Sequence, residues 1–451
     1  MRRTASIILH ALACLLLTAY LASAQELPDS PPSILTLSEA IERAVSRHPD
    51  IMAADLDRRI AETRLQTSFG TFLPTISASG GYTRYLSSGT TIIEGTPLAG
   101  NRPDDFYRAG VSLNYLLFDG FGRTASYRAT QLEHDATMLA IDATRRVIEI
   151  DVRRAFLDGL RTQQVVELRQ VELATSRESH GRMLERIELG VALPGESYAG
   201  EADIAMNEVA ILEVQSTFDD ARARLLLLMN DDPTHTIQLS TEGVTVVPDS
   251  IVIADELKRL GSIDKMLERI VDQRFDLRAQ RIRIDAARAR VSAARAGYFP
   301  SIGTSVSWGW DKSGPVSSND GTFNISLQYD LFDGFRTDEQ VDIARAEVER
   351  AEREYDRFAL NERSRIIAAL TRLETAGRMV LAAERAVVAA RQNRTAAQER
   401  MEIGVGTYDA FLTANTRFID ARVNQINSAY SYWSALFELR YLIGDENVGI
   451  R

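Results

Sequence analysis

The sequence predicts an α+β fold in which one unit, a helical segment followed by a β-hairpin and a very long helical hairpin, is written twice in tandem. Three observations predict it. The pentapeptide LFDGF stands at residues 117–121 and again at 331–335. At the same offset, RIELGV at 186–191 meets RMEIGV at 400–405, and LMNDD at 228–232 meets LIGDE at 442–446, with no net gap between the blocks. Within each copy the hydrophobic period changes from two to that of a helix just where LFDGF falls. Upstream the offset grows by 12 residues: FLP at 72–74 aligns with YFP at 298–300, and Ile41 and Ala44 with Leu267 and Ile270. The first copy therefore carries a longer loop inside its hairpin. A period of about 200 residues is too long for a solenoid repeat, so each copy is a large substructure.

The first 24 residues stand outside the duplication. Arg2 and Arg3 precede an apolar run over 7–21, and Ala22, Ser23 and Ala24 supply a small-residue cleavage pattern, so residues 1–24 read as a secretory signal peptide. The single cysteine, Cys14, lies inside it; small residues precede it as in a lipid anchor, but the apolar run continues to Leu21, which argues against one. A mature chain starting at Gln25 has no thiol for a disulfide, a thiolate metal site or a nucleophile. Losing two arginines takes the formal net charge from -11 to -13, which argues against a nucleic-acid surface, since that needs clustered positive charge. Beyond the signal no apolar stretch reaches the roughly 20 residues of a transmembrane helix.

The first repeat is expected over 25–232. Residues 37–70 read as helix, opened by a capping box of Thr36 and Glu39 and interrupted at His48-Pro49, because the residue before proline resists helical dihedrals. After Pro74 the pattern alternates: Ile76, Ala78, Gly80 and Tyr82 share one face with Thr75, Ser77, Ser79 and Thr83 on the other, and Val111, Leu113, Tyr115 and Leu117 oppose Ser112 and Asn114. This is a β-hairpin over about 75–118. A long helical hairpin follows over about 123–229. Residues 233–262, rich in β-branched and turn residues, join the copies, and the sequence assigns them no fold. The second repeat, 263–451, alternates more cleanly in a hairpin over about 301–332: Ile302, Val306, Trp308 and Trp310, then Phe323, Ile325, Leu327, Tyr329 and Leu331, stand against serines, glycines and amides. Its helical hairpin runs over about 336–443. From 123 to 189 and from 336 to 403 there is no proline and almost no glycine, while Val341, Ala344, Val348, Ala351, Tyr355 and Phe358 step by three and four like a coiled-coil seam. Helices of that length run on the order of 100 Å.

Four strands cannot close a barrel that hides backbone polar groups from lipid, and membrane barrels begin at about eight strands. The strands have membrane-spanning length and apolar/polar alternation, so several chains must share one barrel; three would give 12 strands, enough with a Ser, Thr, Gly and Asn lining to hold water. Trp308, Trp310, Tyr82, Tyr85, Tyr115 and Tyr329 near strand ends fit aromatic girdles. The expectation is a pore built by an oligomer. The alternative is a non-membrane periplasmic coiled-coil scaffold, in which the alternation separates a soluble core from water.

The leader, LSEAIERAVSRHPDI at 37–51, the FLP and YFP turns, the hairpins, LFDGF, and the helical turns ELGVALPGESYAGEA at 188–202 and EIGVGTYDAFLTAN at 402–415, all duplicated, together resemble the TolC-like outer membrane efflux proteins across essentially the whole mature chain. The resemblance implies a homotrimer with a 12-stranded β-barrel in outer membrane lipid, continued by an α-helical tunnel in the periplasm that residues 233–262 girdle. It implies an inner-membrane transporter and a periplasmic adaptor, or membrane fusion protein, as partners. It assigns adaptor docking to the tip turns, here Leu189, Gly190 and Val191, and Ile403, Gly404 and Val405. The acidic rings frequent at the tunnel entrance of that family fall on Ala410 and Thr413, a departure that leaves Glu196 and Asp409 as tunnel-mouth candidates.

Enzymatic chemistry finds little support. Gly195-Glu196-Ser197-Tyr198-Ala199 nearly spells a nucleophile elbow, but it lies between helices rather than after a strand. His10, His48, His134, His180 and His235 are scattered without metal-ligand spacing. Asp119 and Asp333 recur as turn and cap residues, and the charge run over 347–357 reads as a solvated helix face. No catalytic residue, cofactor or metal is assigned.

Overall fold

The computed structural model describes residues 33–86, 90–93, 96–99, 105–242 and 247–445. The expected signal peptide, with Cys14 and His10, lies outside the described residues. In chain order the elements are β1 (Ser33–Leu35), α1 (Leu37–Arg47), α2 (Pro49–Gly70), β2 (Thr75–Arg84), β3 (Thr90–Ile93), β4 (Thr96–Ala99), β5 (Asp105–Asp119), α3 (Gly122–Glu188), α4 (Glu196–Leu228), β6 (Ile237–Leu239), α5 (Ser250–Leu260), α6 (Ile263–Gln273), α7 (Phe275–Arg295), β7 (Ser301–Ser313), β8 (Val316–Gln328), α8 (Arg336–Glu402) and α9 (Tyr408–Leu442).

Local chemistry sets these boundaries. Thr36 accepts from the Glu39 amide while the Glu39 carboxylate accepts from the Thr36 amide, a reciprocal cap that starts α1. His48 ends α1 in an extended conformation, and its Nδ1 accepts from the Asp50 amide to cap α2, with Pro49 in the first helical turn. The repeated pentapeptide turns a strand into a helix through two consecutive left-handed residues, Gly120 and Phe121, then Gly334 and Phe335. Asp119 and Asp333 lock the turn by accepting from the amides of Arg123 and Thr337 at 2.7 and 2.9 Å. Each exposed left-handed phenylalanine packs edge-on against the other aromatic of its motif, Phe121 on Phe118 and Phe335 on Phe332.

The two 67-residue helices α3 and α8 each fold back through α4 and α9. The main core lies midway along them. The segment of α3 around Phe156, Leu157 and Leu160 meets the C-terminal half of α9 around Tyr432, Leu436 and Phe437, and α1, α5, α6 and α7 close around it. Residues 237–239 and 250–260, left unassigned by the sequence, belong to this equator: β6 pairs in parallel with β1, and Ile253 of α5 is buried against Gly377 of α8. The junction of α6 and α7 is tied to α8 by a buried ion pair of Arg274 with Glu362, which Asp276 and Arg365 extend.

Away from the equator, β2, β5, β7 and β8 form one antiparallel sheet in that order, and no helix among the described residues is long and apolar enough to cross a membrane. The register places Ala78, Val111 and Trp308 in one row and Ser77, Ser112, Ser307 and Thr322 in the next, so apolar and hydroxyl rows alternate through the middle of the sheet. Four expectations need correction. The first copy carries more than the one β-hairpin expected of each unit, because the TTII and TPLA segments of its longer loop pair as a β3–β4 ribbon. A bulge between Leu116 and Phe118 takes Leu117 out of the alternating register. Trp308 stands mid-strand over Gly321 rather than at a strand end. Finally, β8 stops at Gln328, so Tyr329 and Leu331 are not strand residues; their counterparts Tyr115 and Leu117 lie in a segment of β5 that only β7 holds, and among the described residues β8 has no strand on its outer side.

Candidate docking tips and channel lining

Both long helices end in the same backbone device. After Glu188, Leu189 keeps helical dihedrals, Gly190 turns left-handed, and the amides of Gly190 and Val191 donate to the carbonyls of Ile187 and Arg186. After Glu402, Gly404 and Val405 donate in the same way to Met401 and Arg400. This is the Schellman closure, which satisfies carbonyls that the helix end leaves free and needs a residue tolerant of positive φ. The satisfied backbone leaves the flanking side chains unspent: Leu189, Val191, Ile403 and Val405 are each more than 60% exposed. Leu193 and Tyr198 extend the apolar surface of the first tip and were not singled out by sequence; their signal was an apolar and an aromatic residue on either side of Pro194-Gly195.

The two tips are brought together. Tyr408, Phe411 and Leu412 at the start of α9 pack on Met183 of α3, with Ile187, Ala192, Ala199 and Met401 around them, and Arg186 donates to the Glu402 carbonyl at 3.3 Å. Close approach requires Gly200, since a Cβ there would lie 2.3 Å from His180 Nδ1 and 3.1 Å from Tyr408 Oη. The Tyr408 hydroxyl is buried without a hydrogen-bond partner among the described residues, and that desolvation, with Asp203 adding to it, pushes its pKa up to about 12.

Glu196 is the first residue of α4 and half-buried; Asp409 sits in the first turn of α9, exposed, one residue from the helix start that Thr407 caps. Both carboxylates therefore stand at helix N-termini, where the helix dipole favours them. Ser197 donates to the Pro194 carbonyl at 3.0 Å, a turn contact. The described histidines are apart: His48 caps α2, His134 and His235 lie 3.1 Å from Asp135 and Asp231, and His180 is packed at Gly200.

Further up the hairpins, Glu172 of α3 is buried 3.9 Å from Arg394 of α8, whose guanidinium lies over the Phe418 ring. Burial outweighs the arginine and raises the Glu172 carboxyl above its usual range.

The sheet supplies the second candidate surface. Its hydrophilic face carries a row of hydroxyls, with Ser77 and Ser112 at 2.8 Å and Ser307 and Thr322 at 2.6 Å. Its other face exposes Ile76, Val111, Trp308, Phe323, Ile325 and Leu327, each close to half exposed or more. A soluble chain seldom leaves so contiguous an apolar face uncovered, whereas lipid-facing strands present one by necessity.

The sequence profile of the outer membrane efflux proteins matches this chain twice, over residues 40–231 and 266–445. The chain belongs to the outer membrane efflux protein family. Among curated relatives, this efflux protein is similar to the outer membrane protein TolC of Vibrio cholerae, at 22% identity over 441 residues, covering 92% of this chain and 94% of that one. Its fold is similar to the outer membrane protein VceC of Vibrio cholerae, with a TM-score of 0.75 at 19% identity over 90% of this chain and 96% of that one. It is likewise similar to the CmeC outer membrane channel of Campylobacter jejuni, with a TM-score of 0.74 at 17% identity over 90% and 85% of the two chains. The efflux protein is thus an outer membrane channel protein whose helical tunnel lies in the periplasm.

Proposed function

We propose that this efflux protein is the outer membrane conduit of a tripartite export system, for multidrug efflux or type I secretion, and works passively as a homotrimer. The observation that carries this reading is the four-stranded sheet: one face apolar and uncovered, the other hydroxyl-rich, and the outer edges of β2 and β8 without a strand partner among the described residues. An exposed ladder edge in lipid leaves backbone polar groups unsatisfied at several kcal/mol each, so the sheet must continue into other chains until it closes. Three chains supply 12 strands, and the hydroxyl face then lines water. The helical hairpins extend that lumen into the periplasm, where an adaptor joined to an inner-membrane transporter meets the exposed tips through Leu189, Gly190, Val191, Ile403, Gly404 and Val405. Glu196 and Asp409 stand at the tunnel mouth; without acids at Ala410 and Thr413, the cation preference they impose is modest.

The deciding measurement is made on detergent-extracted protein from outer membrane fractions. A mass of three chains by light scattering, together with stepwise conductance in planar bilayers, is the expected result. A monomer released by osmotic shock that never conducts is the outcome of a periplasmic scaffold and would overturn the reading. For the tips, Leu189→Asp with Ile403→Asp should leave mass and conductance intact while export fails.

A further inference from the structure

The duplication maps one hairpin onto the other with its hydrogen-bonded register intact. Shifting β2 by 226 residues and β5 by 214 converts the pairs Thr75 with Asn114, Ile76 with Leu113 and Tyr82 with Tyr107 into Ser301 with Gln328, Ile302 with Leu327 and Trp308 with Gly321, which are the observed partners in β7 and β8. The chain also contains one junction between repeats, β5 against β7, with Leu113 opposite Val306, Val111 opposite Trp308 and Gly110 opposite Gly309. The equivalent junction on the other side of the second repeat is empty within one chain, because β8 is an edge.

Its emptiness is visible residue by residue. Residues 115–119 are strand because β7 pairs with them, while their counterparts 329–333 hold no strand and Leu331 is 89% exposed. Ala129 of α3 is 4% exposed, whereas its counterpart Ile343 of α8 is 61% exposed. Gly120 faces the Ala296 carbonyl and the Phe299 side chain at 2.7 Å from its hypothetical Cβ, whereas nothing among the described residues lies within 4 Å of a Cβ at Gly334. Arg290 of α7 pairs with Glu133 of α3 across the filled junction. The same two offsets lead to Arg64 of α2 and Glu347 of α8, which carry the same charges and make no ion pair among the described residues.

We propose that a second copy of this chain fills the empty junction in the register of the filled one: β8 pairs antiparallel with the neighbour's β2, with Leu327 opposite Gly80, Ile325 opposite Tyr82 and Asn324 opposite Thr83. The pairing extends β8 through residues 329–333, sets Gly334 against the neighbour's Leu73, and joins Glu347 to the neighbour's Arg64. The inference rests on the oligomeric reading above and adds a register to it. The faces agree, since Ile325 and Tyr82 belong to the apolar face of their strands and Asn324 and Thr83 to the polar one. A slip by one residue would set apolar against polar along the whole edge.

Cysteine pairs test it in the full-length protein, whose own cysteine, Cys14, lies in the expected signal peptide. Neighbouring ladder positions alternate between wide and narrow spacing, so Ile325→Cys with Tyr82→Cys and Asn324→Cys with Thr83→Cys sample both geometries. At least one should shift the chain under oxidation to the mobility of two and three chains in non-reducing gels. Ile325→Cys with Gly80→Cys, and Asn324→Cys with Gly81→Cys, stand a diagonal step away and should not. In addition, Arg64→Glu and Glu347→Arg should each lower the temperature at which the oligomer dissociates, and the double reversal should restore it. An oligomer that cross-links only through the offset pairs, or a double reversal no better than the singles, overturns the register while leaving the oligomer standing. A protein of single-chain mass with no cross-link from any pair overturns the oligomeric reading itself.

Discussion

At the scale of single residues, two buried polar groups of the helical hairpins, Tyr408 at the tips and Glu172 further up, work against stability, and each gives a measurable sign. The Tyr408 hydroxyl is desolvated without a partner among the described residues, so Tyr408→Phe should stabilise the protein by about 1 kcal/mol in urea unfolding. Its folded value near 12 against an ordinary 10 means that the contribution of the neutral phenol is complete below pH 10 and is lost as pH rises through about 12. Burial raises the Tyr432 phenol to about 12 as well, so a 295 nm titration of the variant should lose one phenol's amplitude from that late step and keep the rest. Glu172 behaves likewise at lower pH. Its folded carboxyl holds the proton more tightly than the unfolded chain does near 4.5, so stability falls as pH rises from about 4.5 through the raised value. Glu172→Gln should remove that fall and be the more stable protein at pH 7; a native chain that gains stability over this range would contradict the assignment. Neither group was legible in the sequence, because burial at the meeting of two helical hairpins has no local pattern. The tip glycines were legible, since a glycine after a long helical run and before an apolar residue is the signature of a Schellman end. The left-handed Phe121 and Phe335 were not, because Asp-Gly alone reads as the whole turn.

At the scale of elements, the long helices could be read from the absence of proline and the three-four spacing, since nothing in those stretches stops helix propagation. The strands β1 and β6 could not, because three residues are too few to display a period of two and their partners lie far apart in sequence. Their presence is nonetheless written into α3 at Gly159. A Cβ there would lie 2.6 Å from Leu239 Cδ1, and Leu239 is buried and clamped by Gln163, which accepts from its amide and donates to its carbonyl. Alanine in place of a mid-helix glycine ordinarily gains about 1 kcal/mol. Here the overpacking should reverse the sign, so Gly159→Ala should cost roughly 1–3 kcal/mol. Gly181, in the same helix with nothing near its Cβ position, supplies the contrast: Gly181→Ala should stabilise. Thermal unfolding of the two variants side by side checks both, and a stabilised Gly159→Ala protein would mean that β6 does not bear on α3.

At the scale of the whole molecule, the equatorial core and the sheet obey different solvents. The core buries Phe156, Tyr432 and Phe437 from water within one chain, while the sheet leaves Phe323, Ile325 and Leu327 uncovered, and in the proposed barrel their solvent is lipid. Adjacent residues of β8 should then differ sharply in what they tolerate. Ile325→Lys places an ammonium on the lipid side, at about 2–4 kcal/mol near the bilayer midplane, and should reduce the heat-modifiable form in outer membrane fractions. Asn324→Lys, one residue away on the hydroxyl-lined face, should assemble normally and instead shift the reversal potential in planar bilayers toward anions, because its charge meets permeating ions. If both variants assembled equally and neither changed selectivity, the alternation would separate no lipid from no lumen. The sheet would then have to bury its apolar face against protein, which no element among the described residues is placed to supply.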